Sequence, residues 1–451
     1  MTGECSRPED CHFPPADPCR RLQPEGSTRY PAPNSRLPLT RSYGLVPRFL
    51  TMSLILLLSL TAISVAFLIL ERARLDRHRG AIPLLITVTG TRGKSSVTRM
   101  LASVLRESGR RVLAKTTGAE AALILPDGSE REIRRRGRPS IIEQKHVIRV
   151  GAELGVDAAV IEVMSIHPEN HLVETRQLLK PDLVLATNFR VDHTAALGET
   201  REAVAAVLGL DIPQGTRAFV PQHECLPVFR AAVQARVGEL IEVPPGTAGP
   251  LLDGGSTSEV CRFTENLDLV CAAARSLGID DRTIRAGIQR TRPDIGTLAI
   301  WRYQPAGSAS VCFLVNAFAA NDPESTLLVH NRLMAALGAS PERCVGLMNL
   351  RRDRGDRTLQ WVGALRAGFL NRFSRLYVLG LHAAALKRRT KRFDDGTRIE
   401  VLRENRPAAI TQTVLSGIRD AGGIVFGFGN IGGAGEALVS HWRATAEPWE
   451  I

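Results

Sequence analysis

Apolar positions along this chain follow three rhythms, and each predicts a different element. From Phe49 to Leu70 there is no charge for 22 residues, and Leu, Ile, Val and Phe dominate. As a helix rising 1.5 Å per residue, such a run just spans a hydrocarbon core of about 30 Å. From residue 81 onward, short unbroken apolar runs alternate with longer amphipathic stretches. Leu84–Val88, Ala158–Val163, Asp182–Thr187, Val311–Val315, Cys344–Met348, Leu376–Leu379 and Ile424–Phe428 read as strands. Their spacing is that of βαβ units, which predicts parallel α/β sheets. In the third rhythm, Val97, Met100, Leu101, Val104 and Leu105 share one face of a helix, with Gly109 placed at its end.

This pattern divides the chain. Residues 1–48 hold nine of the 26 prolines and no apolar periodicity, so they read as a disordered extension, with Met52 as an alternative start. An anchor at 49–70 and a basic linker at 71–80 follow. A turn at Arg292-Pro293-Asp294-Ile295-Gly296 separates a first α/β domain, 81–295, from a second, 296–451. The stretch Pro244 to Ser258 reads as a surface excursion. Arg72, Arg74, Arg77 and Arg79 directly after the anchor predict a cytoplasmic C-terminal side, although Arg36, Arg41 and Arg48 weaken that vote. A cleaved signal peptide, the competing reading, would carry a phosphate loop to where ATP is lacking.

The net charge of +12 comes mostly from arginine, since the chain has only six lysines. With 5% aromatic residues and no basic helix, it argues against a nucleic-acid partner and fits lipid headgroups or an anionic substrate. The eight cysteines are scattered without paired spacing, which argues against a zinc site or a disulfide framework.

The chemistry concentrates at Gly90-Thr91-Arg92-Gly93-Lys94-Ser95-Ser96, between the first predicted strand and the amphipathic helix. A strand, a Gly-rich turn and a helix N-terminus in that order direct backbone N–H groups and the helix dipole at one spot, where Lys94 adds a full charge. Ser95 or Ser96 can offer a hydroxyl to Mg²⁺ on the same phosphates. The first glycine of the eight-residue phosphate loop is replaced by Val88. Glu162 near one strand end, and Asn188, Asp192 and His193 after another, would reach the same sheet edge and could ligate Mg²⁺ there. An ion pair at Glu162 and a helix-capping loop at Asn188–His193 are the alternatives. Gly427-x-Gly429-x-x-Gly432 resembles a dinucleotide fingerprint, but too little chain follows it. The glycines are expected to let backbone approach the interdomain cleft instead.

Gly-Thr-x-Gly-Lys-Ser-Ser, Glu162 and Thr187-Asn188-x-x-x-Asp192-His193 resemble the ATP-binding domain of Mur-type amide ligases. The anchor, the basic flank, the segment Asn316 to Ser325 and the close Gly427 to Glu436 resemble more specifically the membrane-anchored ligase subunit of poly-γ-glutamate synthase (PgsB/CapB). The resemblance runs from about residue 52 to 451. It implies ATP-dependent γ-amide formation through an acyl phosphate, with Mg²⁺ as cofactor. Lys94 would neutralise phosphate charge, Ser95 would hold one Mg²⁺, and Glu162 with His193 a second. Asn266 would face adenine. Where Mur ligases carry a carbamylated lysine, about fifteen residues beyond the histidine, this chain has Leu208.

Substrate would be glutamate and the growing polyglutamate chain, docked by Arg351, Arg352 and Arg354, with Asn316 and Asn321 nearby; a solvated salt-bridged loop is the plain alternative for the arginines. The resemblance also implies a multi-spanning membrane partner (PgsC/CapC-like) and a single-pass location in the cell membrane with the catalytic domain in the cytoplasm. Rival readings are a folylpolyglutamate or cell-wall ligase, and a non-catalytic ATPase switch in a membrane complex.

Overall fold

Each of the seven apolar runs forms a strand, within a residue or two of the bounds read from the pattern. The computed structural model describes residues 45–118, 121–135, 137, 139–249, 263–304, 311–352, 355–393, 398–418 and 423–449. In chain order the strands are β1 (Leu84–Thr89), β2 (Val112–Thr116), β3 (Ala122–Ile124), β4 (Glu130–Glu132), β5 (Ala158–Glu162), β6 (Leu183–Ala186), β7 (Arg217–Pro221) and β8 (Glu239–Val243). They continue with β9 (Ala299–Tyr303), β10 (Cys312–Asn316), β11 (Cys344–Asn349), β12 (Arg375–Leu379), β13 (Ile399–Val401), β14 (Ile424–Phe428) and β15 (Glu447–Pro448). One sheet has the order β4-β3-β2-β5-β1-β6-β7-β8 and the other β13-β12-β11-β14-β10-β9-β15.

The sheets are not wholly parallel, which corrects the expectation. β2–β3 and β3–β4 pair antiparallel in the first, β10–β9 and β15–β9 in the second. The links β2–β3, β3–β4 and β9–β10 are too short to carry the crossover a parallel pair needs. Two of the strands absent from the apolar pattern carry charge: β4 is Glu130-Arg131-Glu132 and fully exposed, and β2 contains Lys115.

On one face of the first sheet, the helix Lys94–Glu107 buries Val97, Met100, Leu101, Val104 and Leu105 completely. Each contributes about 1.5–3 kcal/mol relative to exposure, as an upper estimate. Gly109, at φ +86°, follows its end and donates to the Arg106 carbonyl at 2.9 Å. The helices Thr264–Ser276 and Asp281–Gln289 fold back onto this helix. The second sheet has an aromatic core in which Trp361, Phe369, Phe373, Phe426 and Phe428 pack ring against ring. Of the predicted excursion, residues 250–258 lie outside the described residues, as do residues 1–44 of the N-terminal extension.

The helix Leu45–Gly80 contains the apolar run, with an 18-residue window of mean hydropathy 2.6. It is long and apolar enough to cross a bilayer by length and composition, and its large side chains from Leu50 to Leu70 are exposed. From Leu68 onward the chain belongs to the α/β unit. There Leu75 is buried, Glu71 pairs with Lys145 at 2.7 Å, and Asp76 pairs with Lys180 at 2.8 Å. Arg79 reaches the carbonyls of Leu179 and Lys180 and the Asp182 carboxylate.

Candidate active site

The phosphate loop is shaped by two glycines with no room for a side chain. At Gly90 (φ +128°) a Cβ would lie 2.0 Å from Thr187 Oγ1, and at Gly93 (φ +81°) one would lie 2.7 Å from Asn266 Oδ1. Both conformations suit glycine alone. The loop between them is braced from the end of β6. Thr91 Oγ1 donates to Asn188 Oδ1 at 2.7 Å, Asn188 Nδ2 donates to the Arg92 carbonyl at 3.0 Å, and Thr187 Oγ1 donates to the same carbonyl at 2.6 Å. Lys94 Nζ donates to the Gly90 carbonyl at 2.8 Å, so the ammonium lies over the loop.

Glu162 ends β5 with Val88 of β1 as its register partner, which puts it beside the loop. Its Oε2 accepts from Ser95 Oγ at 2.8 Å and from the Thr117 backbone N–H at 2.7 Å. A hydroxyl and a carboxylate held together at a helix N-terminus are hard oxygen donors that suit Mg²⁺, which takes one or two carboxylates and completes its shell with phosphate and water. Among the described residues no three His, Cys, Asp or Glu side chains gather as a cation site. The residues therefore fit a cation shared with phosphate, not a cage built by protein alone.

His193 begins the helix Thr194–Leu197 with left-handed backbone (φ 48°) and lines the same cavity, its Nε2 3.8 Å from Asp192 Oδ2. Asp192 is a junction. It accepts from Arg92 at 2.9 Å and from Arg357 at 2.7 Å. Burial disfavours its charge, but Arg92 and Arg357 outweigh that and hold the carboxyl far below the usual carboxylate range. Arg92 also bonds Asp322 at 2.8 Å and Asn321 Oδ1, joining the loop to the N-terminus of the helix Pro323–Leu337.

These groups surround a cavity of about 900 Å³ where the carboxyl edges of the two sheets meet, lined from the second sheet by Arg351, Arg357 and Gly432. A smaller cavity of about 140 Å³ lies on the other side of Gly93, between Asn266, Phe263, Leu298 and Ala317. Of the predicted substrate arginines among the described residues, Arg351 reaches the larger cavity and Arg352 does not. Arg352 is exposed, with its carbonyl on His382, and Arg354 lies outside the described residues. Asn316 does not face substrate, which corrects the expectation. It is fully buried, and its Nδ2 donates to the Ile295 and Thr297 carbonyls at 2.8 and 2.9 Å, holding the turn between the two sheets. Gly429, at φ +103°, packs against the Asn349 carbonyl, while Gly432 reaches the cleft.

Three groups were missed by the pattern reading: Arg357, Asp322 and the pair His171–Asp211. The signal for His171 was a polar segment, His167-Pro168-Glu169-Asn170-His171, shortly after the strand that ends in Glu162. His171 Nδ1 lies 2.9 Å from Asp211 Oδ1, and Asp211 Oδ2 accepts from Thr89 Oγ1 at 2.5 Å. Burial opposes charge on the ring, yet Asp211 more than offsets it and the imidazole is raised above its ordinary pKa.

Residues 88–210 match the family described as Mur ligase middle domain, and residues 302–445 match the poly-gamma-glutamate synthase CapB C-terminal domain. The chain is 29% identical to the capsule biosynthesis protein CapB of Bacillus anthracis, over 86% of this chain and 83% of that protein. It is also 29% identical to the PGA synthase CapB of Bacillus subtilis (strain 168), over 85% of this chain and 96% of the other. Among solved structures, E. coli FolC in complex with ADP superposes with a TM-score of 0.60 at 17% identity, over 83% of this chain and 92% of the other. The bifunctional folylpolyglutamate synthase/dihydrofolate synthase of Yersinia pestis complexed with AMPPNP and Mn superposes with 0.62 at 16% identity, over 83% and 91%. These likenesses establish the fold.

Proposed function

We propose that this chain, a Mur ligase middle domain followed by a CapB C-terminal domain, is an ATP-dependent amide ligase that forms the γ-glutamyl bonds of poly-γ-glutamate. The observation that carries this reading is the braced loop with Lys94 and the Ser95–Glu162 pair, opening on a cavity walled by both sheets.

In the reaction, a γ-carboxylate oxygen attacks the γ-phosphorus of ATP, the bond to ADP breaks, and an acyl phosphate forms. The amine of the next glutamate then attacks the acyl carbon, and inorganic phosphate leaves. Lys94 and the N–H groups of Gly93 to Ser96 offset the charge of the phosphates, while Asn266 stands beside the smaller cavity to meet the base. Ser95 and Glu162 would hold Mg²⁺, with His193 nearby for a second ion; the cation neutralises the phosphates and orients them for in-line transfer. Arg351 supplies a fork for a carboxylate of the incoming or growing chain. Closure of the two domains over the cavity keeps water from the acyl phosphate.

The helix Leu45–Gly80 anchors the enzyme in the cell membrane, with the α/β unit in the cytoplasm where ATP is available. A single helix makes no path for a polyanion across a bilayer, so export requires a separate multi-spanning partner. Because residues 68–80 are built into the α/β unit, a soluble form should begin near Leu68 and keep them.

Purified full-length protein should release ADP in a glutamate-dependent manner and yield a γ-linked amide after product hydrolysis. ADP release that ignores glutamate, with no amide formed, would overturn the ligase reading in favour of an ATPase switch. The folylpolyglutamate synthase fold neighbours supply one rival acceptor. Faster ADP release with a pteroyl acceptor than with glutamate alone would favour it.

A further inference from the structure

His171 has one ring nitrogen fixed and the other unused. The short helix Pro168–Leu172 carries it into the wall of the large cavity that Lys94, Ser95, Glu162 and His193 also line. Its Nδ1–H donates to Asp211, and Asp211 is held in turn by the hydroxyl of Thr89, the residue directly before Gly90. The ring is thus tied through two hydrogen bonds to the strand that presents the phosphate loop. Nε2 is buried and has no hydrogen-bond partner, in a residue only 1% exposed. A buried polar atom left unmade is unfavourable, and its persistence in a built relay points to a ligand that completes it.

We propose that His171 Nε2–H donates to an oxyanion in this cavity, a phosphoryl or carboxylate oxygen of the reacting groups. The naming of those groups rests on the ligase reading above; the existence of the oxyanion site does not. Two observations favour a donor over a cation ligand. Burial and the nearby charge of Lys94 both disfavour the charged ring, but Asp211 on Nδ1 outweighs them, so the ring and Lys94 place two positive groups in one region. No three His, Cys, Asp or Glu side chains gather as a cation site among the described residues, so His171 has no companions for a metal shell. A donor fixed before substrate arrives needs no reorganisation as charge moves during transfer, which is where such groups act most strongly.

The test uses full-length protein labelled with ¹⁵N-histidine. Imidazole ¹⁵N–¹H correlations are followed during separate additions of inorganic phosphate, AMPPNP with Mg²⁺, and glutamate, with His171→Gln to assign the signal. The expected result is a protonated Nε2 whose proton moves downfield. A response to phosphate or AMPPNP identifies a phosphoryl oxygen, and a response to glutamate alone identifies a carboxylate. In turnover, His171→Ala should lower kcat on the order of 10²-fold, and His171→Gln, which restores a donor, should recover most of that loss.

No shift with any of the three probes overturns the proposal. So does Mn²⁺ in place of Mg²⁺ showing direct coupling to the His171 nitrogen, which would make it a cation ligand. If His171→Ala fails to fold, the wild-type titration still decides. A phosphate shift without amide product leaves the oxyanion site standing and removes the ligase reading; amide product without a shift does the reverse.

Discussion

His171 and His330 are sealed from solvent to nearly the same degree, 1% and 2% exposed, yet their surroundings differ in every respect that sets charge. His171 stands at the loop edge of the first sheet, in the wall of the large cavity, with a carboxylate on one nitrogen. His330 sits inside the second domain, edge-on to Phe373 and Phe426 at ring distances of 5.4 and 5.2 Å, with neither nitrogen hydrogen-bonded. Burial there, reinforced by the positive charge of Arg372, pushes its pKa down to about 4, so the ring packs as a neutral aromatic. The contrast extends to the two domains. The first collects charged groups at a strand edge, and the second fills its core with rings. Burial by itself marks neither function nor structure; what separates the two rings is the carboxylate on one nitrogen of His171.

The largest effect that sharpens this contrast is expected at Lys94. Lys94→Ala removes a charge from the reacting edge and should cost on the order of 10³-fold in ATP turnover with the melting transition nearly unchanged. Near-native turnover would deny the phosphate edge its role.

Phe428→Ala should do the opposite, costing about 3–5 kcal/mol of stability because it opens a void among Trp361, Phe369 and Phe373. Denaturant unfolding measures it. A loss below about 1 kcal/mol would show that the aromatic core is loosely packed.

The histidines themselves carry opposite pH signs. His330 is depressed in the folded state, so its contribution is intact above an unfolded value near 6.5. It is lost as pH falls through about 4, a change on the order of 3 kcal/mol. His171 is raised, so its contribution is intact at low pH and lost as pH rises through the folded value. His330→Leu should flatten the acid limb of the stability curve between pH 6.5 and 4. An unchanged acid limb would mean that the ring charges without cost.

The smallest effect is at Thr89→Val, which strips Asp211 of a hydroxyl donor and should cost about 1.5–3 kcal/mol. The His171 ring should become mobile in the same variant. A rigid ring with unaltered stability would disconnect His171 from the loop.

How much of this was legible in the sequence depended on chain distance. The loop, its strand and the helix Lys94–Glu107 are contiguous, so apolar spacing and two glycines sufficed to read them. Glu162 was legible because a carboxylate closing an apolar run is conspicuous. The His171–Asp211 pair is separated by 40 residues and Arg357–Asp192 by 165, and no local pattern links such partners. Asn316 misled because its neighbours Asn321 and Asp322 do meet the loop, while its own amide is taken by the turn at Ile295 and Thr297. The strand Glu130–Glu132 was hidden because it has no buried face.

Arg92 belongs to two structures at once. It is part of the loop at residues 90–96, the proposed nucleotide cradle, and through Asp322 and Asn321 it is part of the contact between the domains. The order of the cradle and the closure of the cleft therefore share one free energy, and linkage makes that sharing reciprocal. Anything that draws the second domain toward the first raises nucleotide affinity by the same factor that bound nucleotide raises its own.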